Sequence, residues 1–339
     1  MPEAQAGAPP SPQLFFETVN AFHQTAALKA AIQLDVFSAV GEGNQTAATI
    51  ARRCQASERG IRILCDALVI IGFLKKDASS YSLTQDSAVF LDRRSPAYLG
   101  GSIQFLLAPA AMAGYEELAA AVRKGGTVID QDSTTPEHPM WVDFARGMAP
   151  LMKMPAELIA KLLQADEGKK WKVLGLAVGH GLFEITIAQH NPNAEVWAVD
   201  WPNVLEVARE NAAAAGIAGR YHTIPGSAFD VEYGNDYDLV LVTNFLHHFD
   251  APTCEKLLKK VHAALKPGGR TVILEFVPND DRVSPPIPAH FSLTMLAGTP
   301  GGEAYTFAEL RRMLGSAGYS AVENHPLPPT FFNVVMGKK

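Results

Sequence analysis

No apolar stretch in the sequence is long enough to span a bilayer, cysteines number only three, and positive charge is not in excess. The first lack argues against a transmembrane helix, which takes about 20 consecutive apolar residues. Cys54, Cys65 and Cys254 have no metal-ligand spacing and, being odd in number, cannot all pair within one chain. They read as reduced thiols packed like small apolar side chains, which suits the cytoplasm. A net charge of -6 offers no global attraction to nucleic acid or to an anionic membrane. The opening MPEAQAGAPPSPQ has neither a basic start nor an apolar core, so it is no signal peptide, and residues 1–13 are expected to be a disordered lead. What is there is the balance of a soluble globular protein, 47% hydrophobic and 19% charged, in 339 residues. That length suffices for two domains.

The first third, 14–100, has helical periodicity. Two short helices, a third with an apolar face (SERGIRILCDALVIIGFL) and a small β element around KKDASSYSL describe a winged helix-turn-helix. That motif also serves DNA-binding regulators. Here Arg52, Arg53, Arg59 and Arg62 stand near Glu58 and Asp66, and the recognition-helix position is apolar. Such a face suits burial against protein better than a phosphate backbone. Residues 101–165 read as a further helical layer, interrupted by the polar loop GTVIDQDSTTPEHP. From 166 to 339 strands alternate with helices, the pattern of a parallel sheet covered on both faces. Thr306 and Glu309 have capping-box spacing. The last two strands, YSAVEN and TFFNVVMGKK, are joined by a Pro-rich turn, which forces one of them to run antiparallel.

The first strand of this half, KVLGLAV, breaks into a turn containing Gly179 and Gly181, and the second ends on Asp200. Two cofactor classes share that arrangement. In dinucleotide enzymes the glycines bring a helix N-terminus to a pyrophosphate. In enzymes that bind S-adenosylmethionine the turn passes the amino-acid and ribose portions. In both the acid accepts from ribose hydroxyls. The turn LKPGG before a buried strand and the antiparallel C-terminal hairpin favour the second class.

Several motifs in order then resemble the metal-independent small-molecule O-methyltransferases related to plant caffeate and bacterial hydroxyneurosporene or acetylserotonin enzymes. They are FARGM (144–148), VDWPNVLEVA (199–208), GSAF (226–229), LHHFDAPTCEKLL (246–258), LKPGG (265–269) and MLAGTPGG (295–302). The resemblance implies a Rossmann-like α/β fold with a seven-stranded class I methyltransferase sheet. It also implies an N-terminal winged-helix dimerisation domain, a homodimer interlocked through it, S-adenosylmethionine as cofactor and no metal. The cofactor residues it implies are Ala177, Gly179, Gly181, Asp200, Trp201, Ser227, Ala228, Phe229 and Thr243. The wall of the acceptor pocket falls at Phe144, Met148, Met295 and Thr299.

Methyl transfer is an in-line displacement at a sulfonium carbon, so it depends on positioning and on removing the acceptor's proton. A phenol of pKa about 10 needs a base at neutral pH, and a dry apolar pocket favours the charge-cancelling step. His247, in NFLHHF at a strand end, falls at the catalytic histidine of the resembling family. Glu275, ending the next strand, matches the acid that orients it. His248 takes the place of a following acid. The family's second orienting Glu falls at Ala304, and Glu303 beside it points the wrong way for a substitute.

The loop departs from the family's LDVGGGTG. Gly175 stands for the Asp, and Ala177 and Val178 for two glycines. Ser227 replaces an adenosine-contacting Asp, and Thr243 a basic residue. A missing acceptor for the cofactor's ammonium group costs about 1–3 kcal/mol if nothing replaces it. An Asp put back at 175 is expected to restore binding in that case. Two functions follow. One is methylation of a phenol, catechol or quinol-like hydroxyl. The other is a methyltransferase fold that has given up methyl transfer for another reaction in the same pocket. No motif or spacing gives His180 a role.

Overall fold

The computed structural model describes residues 9–130, 138 and 140–339. Residues 1–8 of the expected lead, and 131–137 and 139 of the polar loop, lie outside the described residues. The chain forms two units, 1–103 and 104–339.

The first unit contains α1 (Gln13–Asn20), α2 (Phe22–Gln33), α3 (Val36–Gly41), α4 (Ala47–Arg53) and α5 (Glu58–Ile70). The hairpin β1 (Leu74–Asp77) and β2 (Ser80–Leu83) and then α6 (Gln85–Phe90) complete it. α4 starts on a capping box of Thr46 and Thr49, and the Ser57 hydroxyl caps α5. The apolar face of α5 buries Ile61, Cys65 and Leu68, one helical stripe. This is the winged-helix form. Its basic side chains are largely matched at home: Arg53 pairs with Asp35 and Glu42, while Arg62 and Lys76 share Asp66. Leu14, Phe15, Phe16, Val19 and Phe22 of α1 and α2 are each more than half exposed.

α7 (Ile103–Leu106) starts on the last residue of the first unit, and α8 (Pro109–Glu116), α9 (Leu118–Lys124) and α10 (Met140–Leu162) follow in the second. Then come β3 (Trp171–Leu176), α11 (Leu182–His190), β4 (Ala194–Asp200), α12 (Pro202–Ala214) and β5 (Tyr221–Pro225). β6 (Tyr237–Thr243), α13 (Ala251–Ala264), β7 (Leu265–Glu275), α14 (Pro286–Gly298), α15 (Phe307–Ser316), β8 (Ala321–Pro326) and β9 (Asn333–Lys338) finish the chain. The seven strands lie in the order β5-β4-β3-β6-β7-β9-β8, with β9 antiparallel to β7 and β8. β3 and β6 are apolar almost throughout because both faces are covered. Val173, Leu239 and Leu241 pack with Ile185 and Leu205 on one side, and Leu174, Val240 and Val242 with Leu258 and Leu310 on the other.

Strand order reverses between β3 and β6, so the crevice for a ligand lies beyond the carboxyl ends of these strands. The Thr306–Glu309 capping box forms as the spacing predicts. The proline-rich stretch 277–293 reads as loop by composition, yet it contains the start of α14. Pro286 occupies the first turn, where a missing N–H breaks no helical bond, so the prolines start the helix and do not prevent it.

Candidate active site

The loop after β3 closes tightly. Gly181 N–H donates to the Val178 carbonyl at 2.8 Å, and Ala177, Gly179 and Gly181 all take positive φ, at 49°, 56° and 70°. Position 181 needs glycine twice over, because a Cβ there would also lie 2.6 Å from the Tyr221 hydroxyl. Ala177 holds the left-handed conformation without that freedom, which costs about 1–2 kcal/mol.

Asp200, ending β4, ties the loop down. Its carboxylate accepts from Gly179 N–H at 2.8 Å and from Trp201 N–H at 2.7 Å. Burial still lifts its pKa to about 6 against those two bonds. The Asp200 carbonyl accepts from Gly226 N–H, which sets the turn 226–229 beside it. There Ser227 Oγ accepts from Phe229 N–H, Ala228 is buried, and Phe229 meets Phe249 edge-on at 4.9 Å. Trp201 immediately precedes α12 and packs with Trp141 against Ala145, Val204 and Val207. Thr243 is buried at the end of β6.

His180 Nδ1 accepts from Leu182 N–H at 3.1 Å, capping a free donor of α11. Burial pushes its pKa down to about 4, so the ring stays neutral and able to accept.

Beyond β6 the chain makes a short 3₁₀ turn, 246–248. Glu275 at the end of β7 builds it. Oε1 accepts from the N–H groups of Phe245, Leu246 and His247 at 3.1, 2.9 and 3.3 Å. Oε2 lies 2.5 Å from His247 Nδ1. Both residues are buried, at 5% and 3% exposure. An ionised Glu275 can only accept, so the bridging proton belongs to Nδ1 and Nε2 carries the lone pair. The resembling pair is thus brought together.

Aromatic rings surround it. His247 meets Phe291 edge-on at 4.9 Å, and Phe291 stacks on Phe276 at 3.7 Å. Trp141 meets His248 at 5.5 Å and Phe144 at 5.4 Å. Burial and the neighbouring His247 hold the His248 pKa well below its ordinary value. Phe291 was not singled out from sequence because its segment reads as loop, and Trp141 was overlooked although it begins the helix carrying Phe144.

Met295 is buried on α14, whereas Met148 packs partly on the main core. Thr299 is fully buried, and its hydroxyl is spent within its own turn. It donates to the Met295 carbonyl at 2.7 Å and accepts from Gly302 N–H at 2.8 Å. Gly302 in turn lies against the His247 carbonyl so closely that a Cβ would meet it at 2.1 Å. Glu303 turns outward to Arg282, and Ala304 is buried. Among the described residues no three His, Cys, Asp or Glu side chains gather as a metal set.

Three buried polar atoms among the described residues lack a partner: Glu184 Oε2, the Tyr221 hydroxyl and Asn244 Oδ1. Two of them, Glu184 and Tyr221, border the loop of β3, and Asn244 precedes the turn of His247 in the left-handed conformation, at φ 51°. Buried carboxylates that hold raised pKa values beside orphaned polar atoms fit a ligand that is cationic and rich in hydroxyl donors.

Residues 115–320 match the model of the O-methyltransferase domain, and residues 16–93 that of the O-methyltransferase dimerisation domain. The 3-hydroxy-5-methyl-1-naphthoate 3-O-methyltransferase of Streptomyces sahachiroi is 30% identical over 324 residues, 94% of this chain and 93% of that protein. A crystallised protein of Nostoc punctiforme, described as an O-methyltransferase, is 55% identical over 98% of this chain and 100% of that one, with a TM-score of 0.94. Human N-acetylserotonin methyltransferase, crystallised with S-adenosylmethionine, has the same fold at a TM-score of 0.83, with 21% identity over 99% of both chains. The chain therefore belongs to the O-methyltransferase family, with the catalytic domain in its second unit and the family's dimerisation domain in its first.

Proposed function

We propose that the protein is an S-adenosylmethionine-dependent O-methyltransferase that methylates a hydroxyl of a small aromatic metabolite, with His247 as general base. The observation that carries this reading is the buried His247–Glu275 pair, 2.5 Å apart at the strand ends and ringed by aromatic side chains. S-adenosylmethionine, when bound, supplies an activated methyl group on a sulfonium centre. The chain supplies the rest. Glu275 keeps the proton on Nδ1, so Nε2 takes the acceptor's proton. His247 then carries a positive charge, which Glu275 stabilises from 2.5 Å.

The loop residues Ala177, Gly179 and Gly181 pass along the cofactor, and Asp200 accepts from its ribose hydroxyls. Trp201, Ser227, Ala228, Phe229 and Thr243 border the adenosine. Phe144, Met148 and Met295 wall the acceptor, joined by Phe291 and Trp141, while Thr299 acts by shaping the turn under His247. The naphthoate methylated by the Streptomyces relative supports a fused or single aromatic ring as acceptor. The exposed apolar face of α1 and α2 supports a homodimer through 14–100, with 101–165 as a helical layer and 166–339 holding the cofactor. Three free thiols suit the cytoplasm.

The test is incubation of the full chain with methyl-labelled S-adenosylmethionine and a panel of phenols, catechols, quinols and hydroxynaphthoates, with His247→Ala as control. Label in an aromatic ether, lost in the variant, is the expected result. Tight cofactor binding without transfer to any hydroxyl would instead favour the reading in which the pocket serves another reaction.

A further inference from the structure

We propose that Glu184 is the acid of the cofactor loop, moved from the strand to the helix: its carboxylate fills the place of a side chain at position 175 and there faces the ammonium group of S-adenosylmethionine. This rests on the cofactor assignment made above. The first support is steric. A Cβ built on Gly175 would lie 2.2 Å from Glu184 Oε1, 2.6 Å from its Cδ and 2.7 Å from Val178 Cγ1. The two positions therefore exclude each other. A glutamate at 184 in this pose demands glycine at 175, and an acid at 175 would demand a small residue at 184.

The second support is chemical. Glu184 is 1% exposed in the first turn of α11, and its Oε2 has no hydrogen-bond partner among the described residues. A buried carboxylate with an empty oxygen is costly unless a donor or cation meets it. Among the described residues, the titratable groups that act on it are Asp200 and Tyr221, and neither carries a positive charge. Asp200 ends the neighbouring strand, and Tyr221 reaches the loop from β5 with its hydroxyl also unpartnered. Arg209 acts on Tyr221 and pairs with Glu206. Burial raises the Glu184 pKa to about 8, as it would for an acid awaiting a counter-charge. S-adenosylmethionine carries an ammonium whose N–H donors would satisfy Oε2 and restore the ionised form. The loop thus lost its acid at 175 without losing a carboxylate.

The test is titration calorimetry of the full chain at pH 7 with S-adenosylhomocysteine, which keeps the ammonium but not the sulfonium, and with 5′-methylthioadenosine, which lacks the amino-acid portion. Buffers of different ionisation heat count the protons released. Glu184→Gln is expected to weaken S-adenosylhomocysteine about tenfold or more and to leave methylthioadenosine within about twofold. The wild type releases a proton on binding S-adenosylhomocysteine that this variant does not. Gly175→Asp alone also weakens binding, because two acids meet in one space, while Gly175→Asp with Glu184→Gly recovers it to within about threefold. A Glu184→Gln variant that binds as the wild type does, with the same proton release, overturns the proposal alone. So does equal weakening of both ligands, the mark of a residue that only shapes the loop. If Glu184→Gln does not fold, failure of the paired exchange to recover binding overturns it. A wild type that binds neither nucleoside overturns the cofactor reading as well.

Discussion

Replacing Glu275 by glutamine tests the orientation of the base without emptying the site. The carboxylate takes four N–H donors, three from the turn 245–247 on Oε1 and His247 Nδ1 on Oε2. A glutamine has one carbonyl oxygen to offer. The three backbone donors claim it, which turns the amide NH₂ toward His247. An NH₂ can only donate, so Nδ1 must accept and the ring proton moves to Nε2. The base is then blocked at the nitrogen that should receive the acceptor's proton. The expected loss is about 10²–10⁴ in kcat, the range of a general base and of a wrong tautomer. Losing a charged acceptor also costs about 1–3 kcal/mol of stability. Steady-state methyl transfer, with cofactor affinity measured separately by calorimetry, separates the two effects. Cofactor affinity should hold while kcat falls. A kcat within about threefold of wild type would refute the tautomer reasoning.

Three further outcomes follow from the same geometry. Glu184 has its pKa raised from 4.5 to about 8, so the native state keeps a proton that the unfolded chain loses between those values. Stability should therefore fall as pH rises from 4.5 to 8, and urea unfolding should show Glu184→Gln flattening that slope; parallel curves for the two proteins would contradict it. His180 contributes the opposite sign between about 4 and 6.5, in both proteins, and cancels in the comparison. Ala177→Gly relieves a positive φ of 49° and should stabilise by about 1 kcal/mol in urea, and no gain would mean the strain is absent. Gly302→Ala puts a Cβ 2.1 Å from the His247 carbonyl, so kcat should drop at least about tenfold with cofactor affinity kept, and an unchanged kcat would show that the turn yields freely.

The seven-stranded sheet was legible because its signals are local. Alternating apolar strands, the glycine loop, the acid ending β4 and the C-terminal hairpin each sit within a few residues of sequence. His247 and Glu275 were found together through motif resemblance, and the strand register then brings them into contact. Glu184 was not legible. In LFEITIAQH it is one of four polar residues in a helix with no motif to single it out, and its link to Gly175 exists only once α11 packs on β3. Substituting Asp at 175 looked like a repair from sequence, whereas the occupied space makes it a clash. α14 was hidden by its prolines, and with it Phe291. His180 needed the geometry of the turn, since a ring nitrogen capping α11 has no spacing signature.

The most direct measurement of the central claim is the single-turnover rate of methyl transfer to a simple phenol as a function of pH, in wild type and His247→Ala at saturating cofactor. With His247 present as base, the rate should stay far above the variant's at pH values below the phenol's own pKa of about 10 and rise with pH much less steeply than the variant's. Without it, only the phenolate already in solution reacts, so the rate should start far lower and climb about tenfold per pH unit toward pH 10. Identical pH profiles in the two proteins would contradict proton removal by His247.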